Sequence, residues 1–133
     1  MAKELIACLV LLLIPAAAFG EVSDPVCKEN PDGVVKDYYP SGKLEVEWVC
    51  KNSQLNGITK LYYESGALEK ESNYKNGKRE GITYSYYDDG ALKSVCNYED
   101  GKLSGAHKIY YKNGLLKEQT YYKDGKMVEG SKE

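Results

Sequence analysis

Gly33, Gly57, Gly81 and Gly105 stand 24 residues apart. The same interval separates the pairs Tyr38-Tyr39, Tyr62-Tyr63, Tyr86-Tyr87 and Tyr110-Tyr111. It also separates Gly42, Gly66, Gly90 and Gly114, and Leu44, Leu68, Leu92 and Leu116. A fixed period in the range of about 20 to 50 residues is the mark of stacked repeats, in which each unit buries its apolar face only against its neighbours. The units run 33–56, 57–80, 81–104 and 105–130. Each carries two turn signals. One is Ser41-Gly42, Ser65-Gly66, Asp89-Gly90 or Asn113-Gly114; the other is Asn76-Gly77, Asp100-Gly101 or Asp124-Gly125. Asn-Gly and Asp-Gly favour two-residue hairpin turns, whose central residues take positive φ. The segments between turns are rich in Tyr, Ile, Val and Thr and read as strands. No 3.6-residue spacing links the apolar positions, which excludes a helical repeat. The expected fold is therefore all-β: an antiparallel β-meander of about eight strands, one hairpin per unit.

Two-residue turns at Ser65-Gly66 and Asn76-Gly77 predict a register. Tyr63 then faces Leu68, Leu61 faces Lys70, Thr59 faces Ser72, Tyr74 faces Arg79 and Ser72 faces Gly81. Facing residues share one side of a sheet. Both turns place Leu61, Tyr63, Leu68, Ser72 and Tyr74 on one side. Tyr39, Leu44, Trp48, Tyr87, Leu92, Tyr98, Ile109, Tyr111, Leu116 and Tyr122 join them, and this is the expected buried or groove-lining face. The other face carries Tyr38, Tyr62, Tyr86, Tyr110, Ile58 and Ile82 among Glu45, Glu47, Glu69, Glu71, Lys93 and Lys117, and is the wetter one.

Residues 1–20 stand apart from the repeats. Lys3 is followed by an unbroken apolar run, Leu5 to Ile14, then Pro15 and Ala16-Ala17-Ala18. That layout predicts a helical secretory signal peptide, cleaved after Gly20 or alternatively after Ala18. The run is short against the roughly 20 residues of a membrane-spanning helix. Cys8 precedes the apolar run, where a lipid-modified cysteine would follow it. Residues 21–32 then form an N-terminal segment ahead of the repeats. An exported chain, periplasmic or extracellular, is expected. Losing Lys3 and Glu4 leaves the net charge at −2, with acidic and basic residues interleaved, so no basic footprint for nucleic acid exists.

Catalytic chemistry is not legible. His107 is the only histidine. It shares a face with Cys96, and no third group is indicated to orient it. The spacings of Cys27, Cys50 and Cys96 match no zinc motif, and no phosphate-binding loop precedes a helix. No cofactor is expected, and no enzyme. In the register above Cys50 lies opposite Gly33, and Pro31-Asp32 can turn the chain so that Cys27 reaches it. Cys50 and Cys96 lie four strand spacings apart, roughly 19 Å and beyond disulfide reach. A Cys27–Cys50 bridge with Cys96 free is expected.

The pattern G-x5-Y-x2-G-x-L-x5-Y-x2-GK resembles the MORN-repeat variant found in many bacterial proteins, some of them labelled antitoxins. The resemblance runs from Gly33 to about Gly130. The first unit departs from it, with Cys50 in place of the late Tyr and Lys51-Asn52-Ser53-Gln54 in place of the Asn-Gly-Lys turn. It implies an elongated, curved sheet acting as an interaction module. The expected binding surface is the tyrosine ladder Tyr39, Tyr63, Tyr87, Tyr111 with Tyr74, Tyr98, Tyr122 and Trp48, taking a protein or glycan partner. The same residues suit a half-exposed single-layer sheet with no ligand at all. Two other functions follow from the resemblance: an antitoxin or immunity protein, and a membrane-surface module. The absence of a polybasic cluster speaks against the second. Open sheet edges leave edge-to-edge homodimers possible in principle.

Overall fold

This computed structural model describes residues 25–132. The expected signal peptide and its cleavage sites lie outside the described residues. A single turn of helix, α1 (Pro25–Lys28), leads into eleven strands: β1 (Gly33–Tyr38), β2 (Leu44–Lys51), β3 (Gln54–Leu55), β4 (Gly57–Tyr62), β5 (Leu68–Lys75), β6 (Lys78–Tyr86), β7 (Leu92–Glu99), β8 (Lys102–Leu103), β9 (Gly105–Tyr110), β10 (Leu116–Lys123) and β11 (Lys126–Lys132). They form one antiparallel sheet in the order β1-β2-β4-β5-β6-β7-β9-β10-β11, with β3 beside β2 and β8 beside β7. The meander is as expected. The strand number exceeds eight because Asn56 and Ser104 interrupt two long strands, whereas β6 runs through the equivalent place unbroken, and because β11 adds a last strand.

The two turns of each unit differ in kind. Asn76 (φ 49°) and Gly77 (φ 79°) both take positive φ, and Lys75 pairs with Lys78 across them: a two-residue turn, as expected. Asn52 (φ 52°) and Ser53 (φ 61°) make the same turn in the first unit without a glycine. At Ser65-Gly66 the expectation is corrected. The Tyr63 N–H donates to the Ala67 carbonyl and the Gly66 N–H to the Tyr63 carbonyl, each at 2.8 Å. The loop is thus three residues, Glu64-Ser65-Gly66, with only Gly66 (φ 93°) left-handed. Tyr62, not Tyr63, faces Leu68. A bulge at Leu61/Tyr62 then restores Leu61↔Lys70 and Thr59↔Ser72 as expected. A second shift, between Ser72 and Tyr74, moves Ser72 opposite Thr83 instead of Gly81. A shift of two residues leaves each side chain on its own face.

The registers align one row of side chains across the sheet. Val35 pairs with Trp48, Thr59 with Ser72, Ser72 with Thr83, Thr83 with Cys96, and His107 with Thr120. Thr59, Ser72, Thr83, Cys96 and Thr120 in this row are all buried. They lie on the face expected to be buried, although its centre is small polar residues and not the tyrosines. The opposite face shows a charged row, Lys36↔Glu47↔Lys60↔Glu71, with a Lys36–Glu47 contact of 3.3 Å. It also exposes Val34, Ile58 and Ile82, one in each of the first three repeats.

The first hairpin has the only apolar cluster described. Cys27, Cys50 and Leu55 are buried there, with Val26, Val35, Trp48 and Tyr74 against them. Cys27 and Cys50 form a disulfide, Cα–Cα 5.5 Å, which ties α1 to β2, and Cys96 is a buried free thiol.

Candidate interaction surface

The expected tyrosine ladder divides into two structural groups. Tyr39, Tyr63 and Tyr87 each close a three-residue turn and reach the next repeat. Their hydroxyls donate to the carbonyls of Tyr62, Tyr86 and Tyr110 at 2.6, 2.7 and 2.8 Å. At the other end of the hairpins the N–H groups of Gly77, Gly101 and Gly125 donate to the carbonyls of Leu55, Arg79 and Leu103. Repeat is therefore stapled to repeat at both ends, and the hydroxyls of this first group are already spent. Tyr111 has no such acceptor among the described residues and is 45 % exposed. The Lys93 and Lys112 ammonium groups sit 5.6 and 5.5 Å from the Tyr87 ring centre, and Lys112 pairs with Asp88 at 2.9 Å.

Desolvation is the first cause holding the Tyr39 and Tyr63 hydroxyls above the ordinary phenol range, with Glu69 adding to both. A phenol with a raised folded pKa contributes stability that is full below the unfolded pKa and fades as the pH rises through the folded one. Tyr63→Phe removes both the bond and this dependence. We expect it to cost about 1 kcal/mol in denaturant unfolding at neutral pH and to shrink the deficit in alkali. An unchanged midpoint would show that the staple carries no load.

The second group is Tyr74, Tyr98 and Tyr122, half-buried near the other ends of the strands. Gly57 lies opposite Tyr74, Gly81 opposite Tyr98 and Gly105 opposite Tyr122. Gly33 has Cys50 in that place, so the disulfide stands where the other repeats have a tyrosine. Between Tyr74 and Tyr98 lies Arg79. Its Nε donates to the Tyr74 hydroxyl and its Nη1 to the Tyr98 hydroxyl, each at 3.1 Å. Its guanidinium carbon is 5.9 and 5.1 Å from the two ring centres, within cation–π range. Burial would lower the Arg79 pKa, but the two hydroxyls outweigh it and the group is held above its ordinary value. Trp48 packs instead on the disulfide cluster.

Sequence reasoning did not single out Arg79 as a site residue. The signal was available: it is the only arginine of the chain, and the 24-residue period puts Leu55, Leu103 and Met127 at its equivalents.

Among the described residues no hydrogen bond joins Cys96 to His107. Burial pushes the Cys96 thiol up, against the opposing pull of Tyr98, Lys70 and Arg79. His107 faces Thr120, and its ring lies 6.2 Å from that of Tyr122. Among the described residues no group of three His, Cys, Asp or Glu side chains could hold a metal ion. An open depression of about 400 Å³ is lined by Lys75, Asn76, Lys78, Glu80 and Asp100, and the Lys78–Asp100 contact at 3.2 Å lies within it.

The sequence matches a family model described as MORN repeat variant at four successive places, residues 31–52, 55–76, 79–100 and 103–124. No curated protein sequence matches the chain. Among solved structures it is similar to the Glycosylation Associate Protein (Gap123) complex from Streptococcus agalactiae, at 21 % identity and a TM-score of 0.43, over 81 % of this chain. It spans 21 % of the length of that structure's chain.

Proposed function

The chain belongs to the MORN repeat variant family, and on that premise we propose that it is an exported protein-interaction module, working by binding and not by catalysis. The observation that carries this reading is the sheet face bearing Tyr74, Tyr98 and Tyr122, on which no element but α1, at the first hairpin, packs among the described residues. Paired strands hold these rings at repeat pitch, and their apolar bodies with polar tips suit contact with another protein. The rigid staples at both ends of each hairpin support it, because a surface that is already ordered loses little freedom on binding. The Cys27–Cys50 disulfide supports an oxidising location, the periplasm or the outside of the cell.

The test is crosslinking in intact cells followed by mass spectrometry of the tagged protein. We expect one partner protein to recur in defined stoichiometry, with crosslinks mapping to the Tyr74–Tyr122 face. A chain recovered uncrosslinked under every growth condition would overturn the reading.

A further inference from the structure

We infer that the face of β4 to β7 centred on Arg79 is a docking site for an acidic protein segment, with Arg79 gripping a carboxylate side chain of the partner. The inference rests on the interaction-module reading and gives that module a partner chemistry.

Three rows of paired side chains make up this face. One is Leu61, Lys70, Ser85 and Ser94; the next is Thr59, Ser72, Thr83 and Cys96; the third holds Gly57, Tyr74 and Arg79, then Gly81 and Tyr98. Lys70 and Arg79 are the only charged residues in these rows, and no Asp or Glu occurs among them. They stand in the two rows that flank Ser72, Thr83 and Cys96. The opposite face differs, since Lys36, Glu47, Lys60 and Glu71 alternate there and neutralise one another. Among the described residues no carboxylate lies within ion-pair distance of Arg79, although Lys36, Lys78 and Lys112 each have one.

Arg79 is also set for recognition. The Tyr74 and Tyr98 hydroxyls hold its Nε and Nη1, which fixes the plane of the guanidinium. The Nη2 edge has no partner among the described residues, so Nη1 and Nη2 can present parallel donors to both oxygens of a carboxylate. A planar fork that is already oriented loses little side-chain freedom on binding. The neighbouring tyrosine rings then cover the apolar part of the incoming segment. Leucine at the equivalent positions 55 and 103 keeps the fold without this charge, so the arginine is not demanded by packing.

That last point supplies a clean variant. Arg79→Leu places in the second repeat a residue the fold already accepts in the first and third turns. The disulfide-intact protein is used to select from a random peptide library displayed on phage, and the enriched peptides are titrated against wild type, Arg79→Leu and Arg79→Lys. The expected result is enrichment of Asp- or Glu-containing peptides by wild type. Their affinity should fall by roughly 10- to 100-fold in Arg79→Leu, with Arg79→Lys in between, and weaken with added salt. Acidic peptides that bind Arg79→Leu as tightly as wild type would overturn the site. So would selection of neutral peptides only, and in either case the module reading would stand. A uronic-acid oligosaccharide is titrated in parallel; Arg79-dependent binding of the sugar with no enriched peptide would overturn the protein assignment. The crosslinking result decides the module reading separately.

Discussion

Replacing Cys27 and Cys50 by serine lowers the stability of the first repeat by about 3 kcal/mol, the expected worth of closing a loop of this size in the unfolded chain. The two residues are 23 apart in sequence. The consequence is large because little else holds the N-terminal segment. The helix α1 has four residues, far below the length at which a helix persists alone. The strand β1 is an edge, and its pattern of burial is almost wholly exposed. The cluster of Cys27, Cys50 and Leu55 with Trp48 and Tyr74 is therefore assembled on the bridge itself. In a repeat array each unit touches only its neighbours, so the loss should stay local. Amide exchange is the right measurement for that reason. Protection in β1 and β2 should fall by about 100-fold in the double serine variant, while β7 to β10 keep theirs. The background is Cys96→Ser, which prevents exchange of the bridge onto the third thiol. Equal protection in β1 with and without the bridge would show that the cap folds unaided.

The period made the architecture legible, and it did so through the parts that the backbone demands. Gly77, Gly101 and Gly125 recur because each occupies the second place of a tight turn and gives its N–H to the preceding repeat. Tyr39, Tyr63 and Tyr87 recur because each hydroxyl reaches the following repeat. What the sequence hid was the second kind of turn. Asn113-Gly114 and Asn76-Gly77 are the same dipeptide, yet Asn76 has positive φ and Asn113 does not. The dipeptide alone cannot separate them. The length of the loop is decided by the Tyr111 N–H reaching the Leu115 carbonyl, a bond between residues outside the dipeptide. The face assignment survived this because the bulge beside each three-residue turn returns the register. The centre of the buried face was also concealed. Thr59 and Thr83 suit a strand by propensity, but nothing in the residue types says that they and Ser72 are buried at its centre. Arg79 escaped for the opposite reason: attention to what recurs passes over the residue that breaks the recurrence.

That buried row sets up the second large effect. Thr59 and Ile58 are adjacent in β4 and point to opposite faces. Thr59 is 4 % exposed and Ile58 is 44 % exposed. Aspartate disfavours strands at both places alike, so comparing the two substitutions isolates the face. At Thr59 the carboxylate would be sealed in, and nothing waits to receive it, since Thr59 Oγ1 has no hydrogen-bond partner among the described residues. An unpaired buried charge costs about 3–5 kcal/mol, or is relieved by taking up a proton. Thr59→Asp should therefore destabilise by that amount at neutral pH. Its deficit should shrink as the pH falls, because the raised folded pKa of a buried carboxyl means that the folded form binds the proton more tightly. Ile58→Asp should cost about 1 kcal/mol or less, with its carboxylate in water beside Asn73, which it faces. Urea unfolding followed by tryptophan emission reports directly, because Trp48 lies in the neighbouring strand and on the same face as Thr59. Equal losses at the two positions would mean that the row is not closed, and the two faces of the sheet would then be alike in everything but composition.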